Sequence, residues 1–143
     1  MAGTIVADQL EAASTSTLVI KNGVANTPPT IQDSAGTQIG TFCRAFVNFN
    51  GTTNTGGFCT IRGSFNVTSV ADRGTGLYTI NFTTAMPNAN YCGVASATIG
   101  GASNSNRDAA VGPIDASSAY CNSWVADSGA AADVDVICAA IFR

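Results

Sequence analysis

The sequence predicts an all-β chain, an antiparallel β-sandwich head preceded by an extended N-terminal arm. Three observations carry this. Runs rich in β-branched and aromatic residues recur from Phe42 to the C-terminus, separated by turn residues. Within residues 77–84, Tyr78, Ile80 and Phe82 alternate with Thr79, Asn81 and Thr83, the period-2 pattern of a half-buried strand. A sustained helical spacing of apolar residues is missing, apart from a faint trace at 6–13.

Taken in order, residues 1–41 form the arm and 42–143 the head. The arm holds two short apolar runs, with Ile5, Val6 and Leu10 in the first and Leu18, Val19 and Ile20 in the second. Neither run buries a face alone, so both want a partner surface, and these six are the candidate docking residues. Pro28-Pro29 and Ser34-Ala35-Gly36 favour extended or turn structure before the head begins. Strand candidates then fall at 42–49, 58–70, 77–84, 91–99, 119–126 and 133–142. Turns are expected at Asn50-Gly51, at Asp72 and at 74–76, and a bulge or bend near Gly63. The last candidate places Val134, Val136, Cys138, Ala140 and Phe142 on one face. Its other face starts with Asp133 and Asp135 and turns apolar at Ile137, Ala139 and Ile141. A strand apolar on both faces is central in its sheet or covered by another subunit.

Composition narrows the function classes. Only 10% of residues are charged, against about 25% in an ordinary soluble domain. The net charge is −3, and the six basic residues are scattered singly, which argues against nucleic-acid binding through phosphate neutralisation. No apolar run approaches the roughly 18 residues of a membrane span, so no membrane insertion is expected. No secretion signal is expected either. The five cysteines, Cys43, Cys59, Cys92, Cys121 and Cys138, have no metal-binding spacing and are read as small hydrophobes. A disulfide between neighbouring strands is the alternative, and its pairing is not fixed by sequence.

Catalysis has little to work with. The chain has no histidine, so Ser–His–Asp and Cys–His arrangements are excluded. Asp133 and Asp135 are the one same-face acidic pair, about 6.6–7 Å apart along a strand at about 3.3–3.4 Å per residue. They are weighed as a glycosidase pair, as calcium ligands with Asp127, and as plain solvated residues, the last being preferred. No enzyme activity, cofactor or metal is therefore expected. Recognition of a surface is better supported. Tyr120, Asn122 and Trp124 share one face of a strand, beside a loop carrying Asn104, Asn106, Arg107 and Asp108. An aromatic platform with amides and hydroxyls suits a glycan, and loops on a rigid β-scaffold are where binding usually resides. Alternatively, Trp124 packs in the core or in a subunit interface.

Five stretches also resemble a family. They are Ser34 to Arg44 (S-A-G-T-Q-I-G-T-F-C-R), A-F-V-N-F-N-G from Ala45, S-F-N-V-T-S-V-A-D from Ser64, G-T-G-L-Y-T-I-N-F-T from Gly74, and M-P-N-A-N-Y from Met86. Their wording is similar to small β-domains of bacteriophage tail-fibre and tail-spike proteins, cyanophages among them, and the closing strand to Arg143 fits as well. The resemblance spans roughly residues 27–143 and weakens between Gly100 and Asp133. It implies a non-enzymatic virion structural protein, assembled in the host cytoplasm and carried on the tail. The head would form a homotrimer and contact a host-surface glycan or receptor, while the arm docks on other tail or virion proteins. The F-T-T-A-M-P-N-A-N-Y portion also resembles trimeric, sugar-binding H-type lectins. A capsid cement or decoration protein and a polysaccharide-degrading tail spike are the rival readings.

Overall fold

The computed structural model describes residues 31–100 and 106–143. Every regular element among them is a strand, and every strand pairing is antiparallel. A small hairpin of β1 (Ile31–Gln32) and β2 (Gln38–Gly40) comes first. Eight longer strands follow: β3 (Cys43–Thr55), β4 (Phe58–Phe65), β5 (Val67–Gly74), β6 (Leu77–Phe82), β7 (Cys92–Thr98), β8 (Arg107–Pro113), β9 (Ser118–Val125) and β10 (Val136–Phe142).

These eight make one sheet in the order β7-β10-β3-β4-β5-β6-β9-β8. The sheet curls until its edge strands lie against each other. A side-chain carbon on Gly93 of β7 would stand 2.6 Å from Val111 Cγ1 of β8. This near-closure into a barrel shields two edges that would otherwise offer unpaired backbone groups. The opposite seam is loose, since β4 and β5 share only the Phe58–Ala71 pair. The barrel is therefore divided into two four-stranded walls, β7-β10-β3-β4 and β5-β6-β9-β8.

Alternation along the strands fills the interior. Ala45, Val47 and Phe49 of β3, Tyr78, Ile80 and Phe82 of β6, Ala119 and Cys121 of β9, and Ile137, Ala139 and Ile141 of β10 are all buried. Phe49 meets the Tyr78 ring edge-on with centroids 5.1 Å apart, and Phe82 meets Tyr91 at 5.7 Å. Each such pair contributes about 0.5–1.5 kcal/mol beyond its buried area. No helix among the described residues is long and apolar enough to cross a membrane.

Several sequence expectations change. Asn50-Gly51 is not a turn, because β3 runs on to Thr55 and reverses at Gly56-Gly57, both at positive φ. Gly51 is instead a point of close approach: a Cβ there would lie 2.4 Å from Tyr78 Oη and 2.7 Å from the Val134 carbonyl. The 58–70 run is two strands, parted at Asn66 with φ 56°. The bulge expected at Gly63 falls beside it, where Asn48 pairs with Gly63 and Phe49 with Ile61, leaving Arg62 as the extra residue. Asp72 lies within β5, and the turn follows it. The strand at 107–113 was not anticipated. In β10 the inward face is Ile137, Ala139 and Ile141, while Val136, Cys138, Ala140 and Phe142 point outward and are half-buried. β10 is central in its wall, between β7 and β3.

Candidate functional site

The β5-β6-β9-β8 wall carries the candidate recognition residues on its outer surface. β9 alternates strictly, with Ala119, Cys121 and Ser123 buried inside and Tyr120, Asn122 and Trp124 directed outward. Tyr120 is 40% exposed. Trp124 is half-buried on the outer face, so the chain's one tryptophan does not enter the core.

Strand pairing supplies the neighbours. On β8, Gly112 stands opposite Tyr120, Ala110 opposite Asn122 and Asp108 opposite Trp124. On β6, Thr79 stands opposite Tyr120 and Leu77 opposite Asn122. A Cβ on Gly112 would meet Tyr120 Oη at 2.5 Å and Cζ at 2.6 Å, so the phenol ring lies directly over the β8 backbone. Arg73 Nε donates to Thr79 Oγ1 at 3.3 Å, which holds a guanidinium over β6 on the far side of Thr79's row. Leu77 is 45% exposed. The outer face thus offers an aromatic ring, an indole, an amide, a guanidinium and a carboxylate, with small residues between them. Such a surface presents apolar platforms with polar rims, as a flat, hydroxylated ligand requires.

The other sequence candidates are placed differently. Arg107 pairs with Val125, one residue out of phase with Asp108, so it belongs to the inward phase at the rim and not to the Trp124 face. Its Nη1 donates to the Asn106 carbonyl at 2.8 Å. Asn106 spends its side-chain amide on Asp127 Oδ2, which ties the start of β8 to the loop after β9. Asn104 lies outside the described residues, as do Ile5, Val6, Leu10, Leu18, Val19 and Ile20. Arg73, Leu77, Thr79, Asp108 and Gly112 complete the face; of these, only Asp108 was near the expected site. Their membership depends on which strands pair, which periodicity in one strand does not reveal.

Asp133 and Asp135 precede β10 and do not form a paired-carboxylate site. Asp133 Oδ1 accepts from the Gly76 amide at 2.7 Å and from Tyr78 Oη at 3.0 Å. Asp135 accepts from the Gly100 amide through both carboxylate oxygens, at 2.9 and 3.0 Å. Each carboxylate fixes a loop to the barrel. Among the described residues, no group of three or more Cys, Asp or Glu side chains is arranged to hold a metal ion.

All five cysteines are free thiols. Burial, aided by the charges of Asp72 and Asp133, pushes the Cys59 thiol up to about 11. Burial, with a smaller contribution from Cys59, pushes Cys121 up to about 12. Both stay protonated and inert at neutral pH. Cys92 is exposed, and Cys43 and Cys138 are half-buried. Comparison with protein-family models, curated proteins and solved structures found no match.

Proposed function

We propose that the chain is a bacteriophage virion protein, a small tail-fibre or tail-spike subunit that contacts the host surface. The observation that carries this reading is the open outer face of β9, where Tyr120, Asn122 and Trp124 stand in a row flanked by Arg73, Leu77 and Asp108. The tail-fibre resemblance of roughly residues 27–143 supplies the biological setting. In this reading the head is a flattened sandwich, trimerised about a threefold axis. Residues 1–41 lead away from it as the arm, with Ile5 to Leu10 and Leu18 to Ile20 docking on the tail. A host glycan lies across the Tyr120–Trp124 row, stacking on the aromatic rings and bonding to Asn122 and Arg73. Each site is weak, and three presented together raise the avidity without any new kind of contact.

Two measurements test the proposal. Gold-labelled antibody against the purified chain should decorate the tail of intact virions. Label over the whole capsid would replace the fibre reading with a cement protein. Purified protein should also bind host cells, and Trp124→Ala should weaken that binding by about tenfold or more, equivalent to about 1.4 kcal/mol. Undiminished binding by a folded Trp124→Ala variant would remove the β9 face from the account.

A further inference from the structure

The outer face of the β5-β6-β9-β8 wall is not level. Register carries one row across it from the loose seam to the far edge, with Phe58, Ala71, Thr79, Tyr120 and Gly112 opposite one another in turn. Directly opposed residues of antiparallel strands share a face, so the whole row points outward with Tyr120. Phe58 is 47% exposed at one end, and Tyr120 is exposed towards the other. The middle is sunken: Ala71 and Thr79 are only 9% and 8% exposed, although Ala71 has no place in the cluster that fills the barrel. Two aromatic residues therefore stand on either side of a shallow depression, with a methyl and a hydroxyl on its floor.

Arg73 overlooks that floor. Its Nε donates to Thr79 Oγ1 at 3.3 Å, which restrains the guanidinium beside the depression. Its other N–H groups, on Nη1 and Nη2, have no hydrogen-bond or ion-pair partner among the described residues. The adjacent carboxylate is engaged elsewhere: Asp72 Oδ2 accepts from Asn54 Nδ2 at 2.7 Å and Oδ1 from the Gly74 amide at 2.9 Å. Asp108 lies on β8, three strands from β5, or about 14 Å away at about 4.8 Å per strand. Among the described residues, Arg73 is thus an exposed cation with no counter-charge, in a chain whose net charge is −3.

With Nε taken by Thr79, the free edge of the guanidinium is its Nη1 and Nη2 pair. That edge matches the two oxygens of a carboxylate, and such charge-assisted bonds are about twice as strong as neutral ones. Holding the fork in place beforehand lowers the ordering cost of binding. A sugar ring with a carboxylate at its edge supplies both halves of the match, an apolar face for the aromatic residues and an anion for the fork.

We infer that this depression takes the acidic sugar of a carboxylated glycan, with the carboxylate on the Nη edge of Arg73 and the sugar ring over Thr79, between Phe58 and Tyr120. This deepens the glycan contact of the proposed function and rests on that reading, not on the tail location or the trimer.

The test is a printed array of neutral, uronic-acid-bearing, sulfated and phosphorylated oligosaccharides probed with the full chain, each uronic-acid member accompanied by its carboxyl-reduced form. The acidic members should bind about tenfold or more tightly than their reduced forms, as charge-assisted hydrogen bonds require. Arg73→Gln should abolish that preference while leaving the reduced forms bound as before. Trp124→Ala should weaken both forms by the same factor and keep the preference. Arg73 is exposed, so thermal melting of Arg73→Gln should show an intact fold. Equal binding of acidic and reduced forms, with Trp124→Ala still weakening both, would overturn the carboxylate and leave the glycan face standing. Tighter binding of sulfated or phosphorylated members than of uronic acids would overturn it in favour of another anion. Equal losses on both forms in Arg73→Gln would make Arg73 a support for Thr79 and overturn its part as anion ligand. Binding to no member of the array would overturn this inference and the glycan reading together.

Discussion

At the scale of single residues, two glycines mark the difference between the packed interior and the outer face proposed for recognition. A Cβ on Gly51 meets Tyr78 Oη, a backbone carbonyl and Ile137 Cδ1, all within 2.8 Å and all in the packed interior. Gly51→Ala should therefore cost roughly 1–3 kcal/mol and lower the thermal midpoint by several degrees. The three atoms nearest a Cβ on Gly112 all belong to the outer part of the Tyr120 ring, a residue 40% exposed that can swing into solvent. Gly112→Ala should leave the melting temperature close to wild type. It should nevertheless reduce host-cell binding as much as Tyr120→Ala does, because the platform is displaced. Equal binding by Gly112→Ala and wild type would show that the position of Tyr120 is immaterial. The thiols divide the same way. Iodoacetamide with mass-spectrometric mapping should modify Cys92 first and leave Cys59 and Cys121 untouched in the native chain, as their burial and raised thiol pKa require.

At the scale of elements, the segment before β10 acts as a clasp. Asp133 gathers the Gly76 amide and the Tyr78 hydroxyl, and the Gly51 amide donates to the Val134 carbonyl at 2.8 Å, so the β5–β6 turn, β6 and β3 meet at one point. Asp133→Ala removes the shared acceptor and should destabilise by about 1–3 kcal/mol in urea unfolding. Asp133→Asn keeps an acceptor oxygen and should lose less than half as much. Equal losses would mean that charge, not the hydrogen bonds, holds the clasp. This clasp also shows where sequence reading fails. Asp133 and Asp135 share a parity, which suggested an acidic pair, but strand geometry begins only at Val136 and each carboxylate turns to its own loop amide. β6 and β9 were legible because one face of each is apolar or aromatic at period 2. β8, R-D-A-A-V-G-P, was not, since its alanines and glycine carry almost no strand preference and its place is fixed by pairing with β9. The Tyr120, Asn122 and Trp124 row was readable from one strand. Arg73, Leu77 and Gly112, which complete it, were not, because their proximity is a property of register across strands.

At the scale of the whole molecule, a chain so poor in charge should show a flat stability profile near neutral pH, bounded by a few groups with displaced pKa values. On the alkaline side these are Cys59 and Cys121, raised by burial from 9.0 to about 11 and about 12, together with Tyr78 and Tyr91, raised by burial from 10.0. In each case the folded state favours the protonated, neutral form. Below the unfolded values both states hold the proton, and these groups leave stability unchanged with pH. Above about pH 9 the unfolded thiols ionise first, the unfolded state binds fewer protons, and stability falls until the folded groups titrate in turn. On the acid side, the Ser117 amide and then the Ser118 hydroxyl hold the exposed Asp115 carboxyl below its usual 3.8. That contribution is present above 3.8 and lost as pH falls through the lowered value. The urea midpoint should accordingly be level through neutral pH and drop between pH 9 and 12. Cys121→Ala removes the largest thiol displacement at a roughly constant cost in packing. Its midpoint should start lower than wild type but fall less steeply over the same alkaline range. Parallel curves for the two proteins would place the alkaline loss at groups other than this thiol, the buried Tyr78 and Tyr91 foremost.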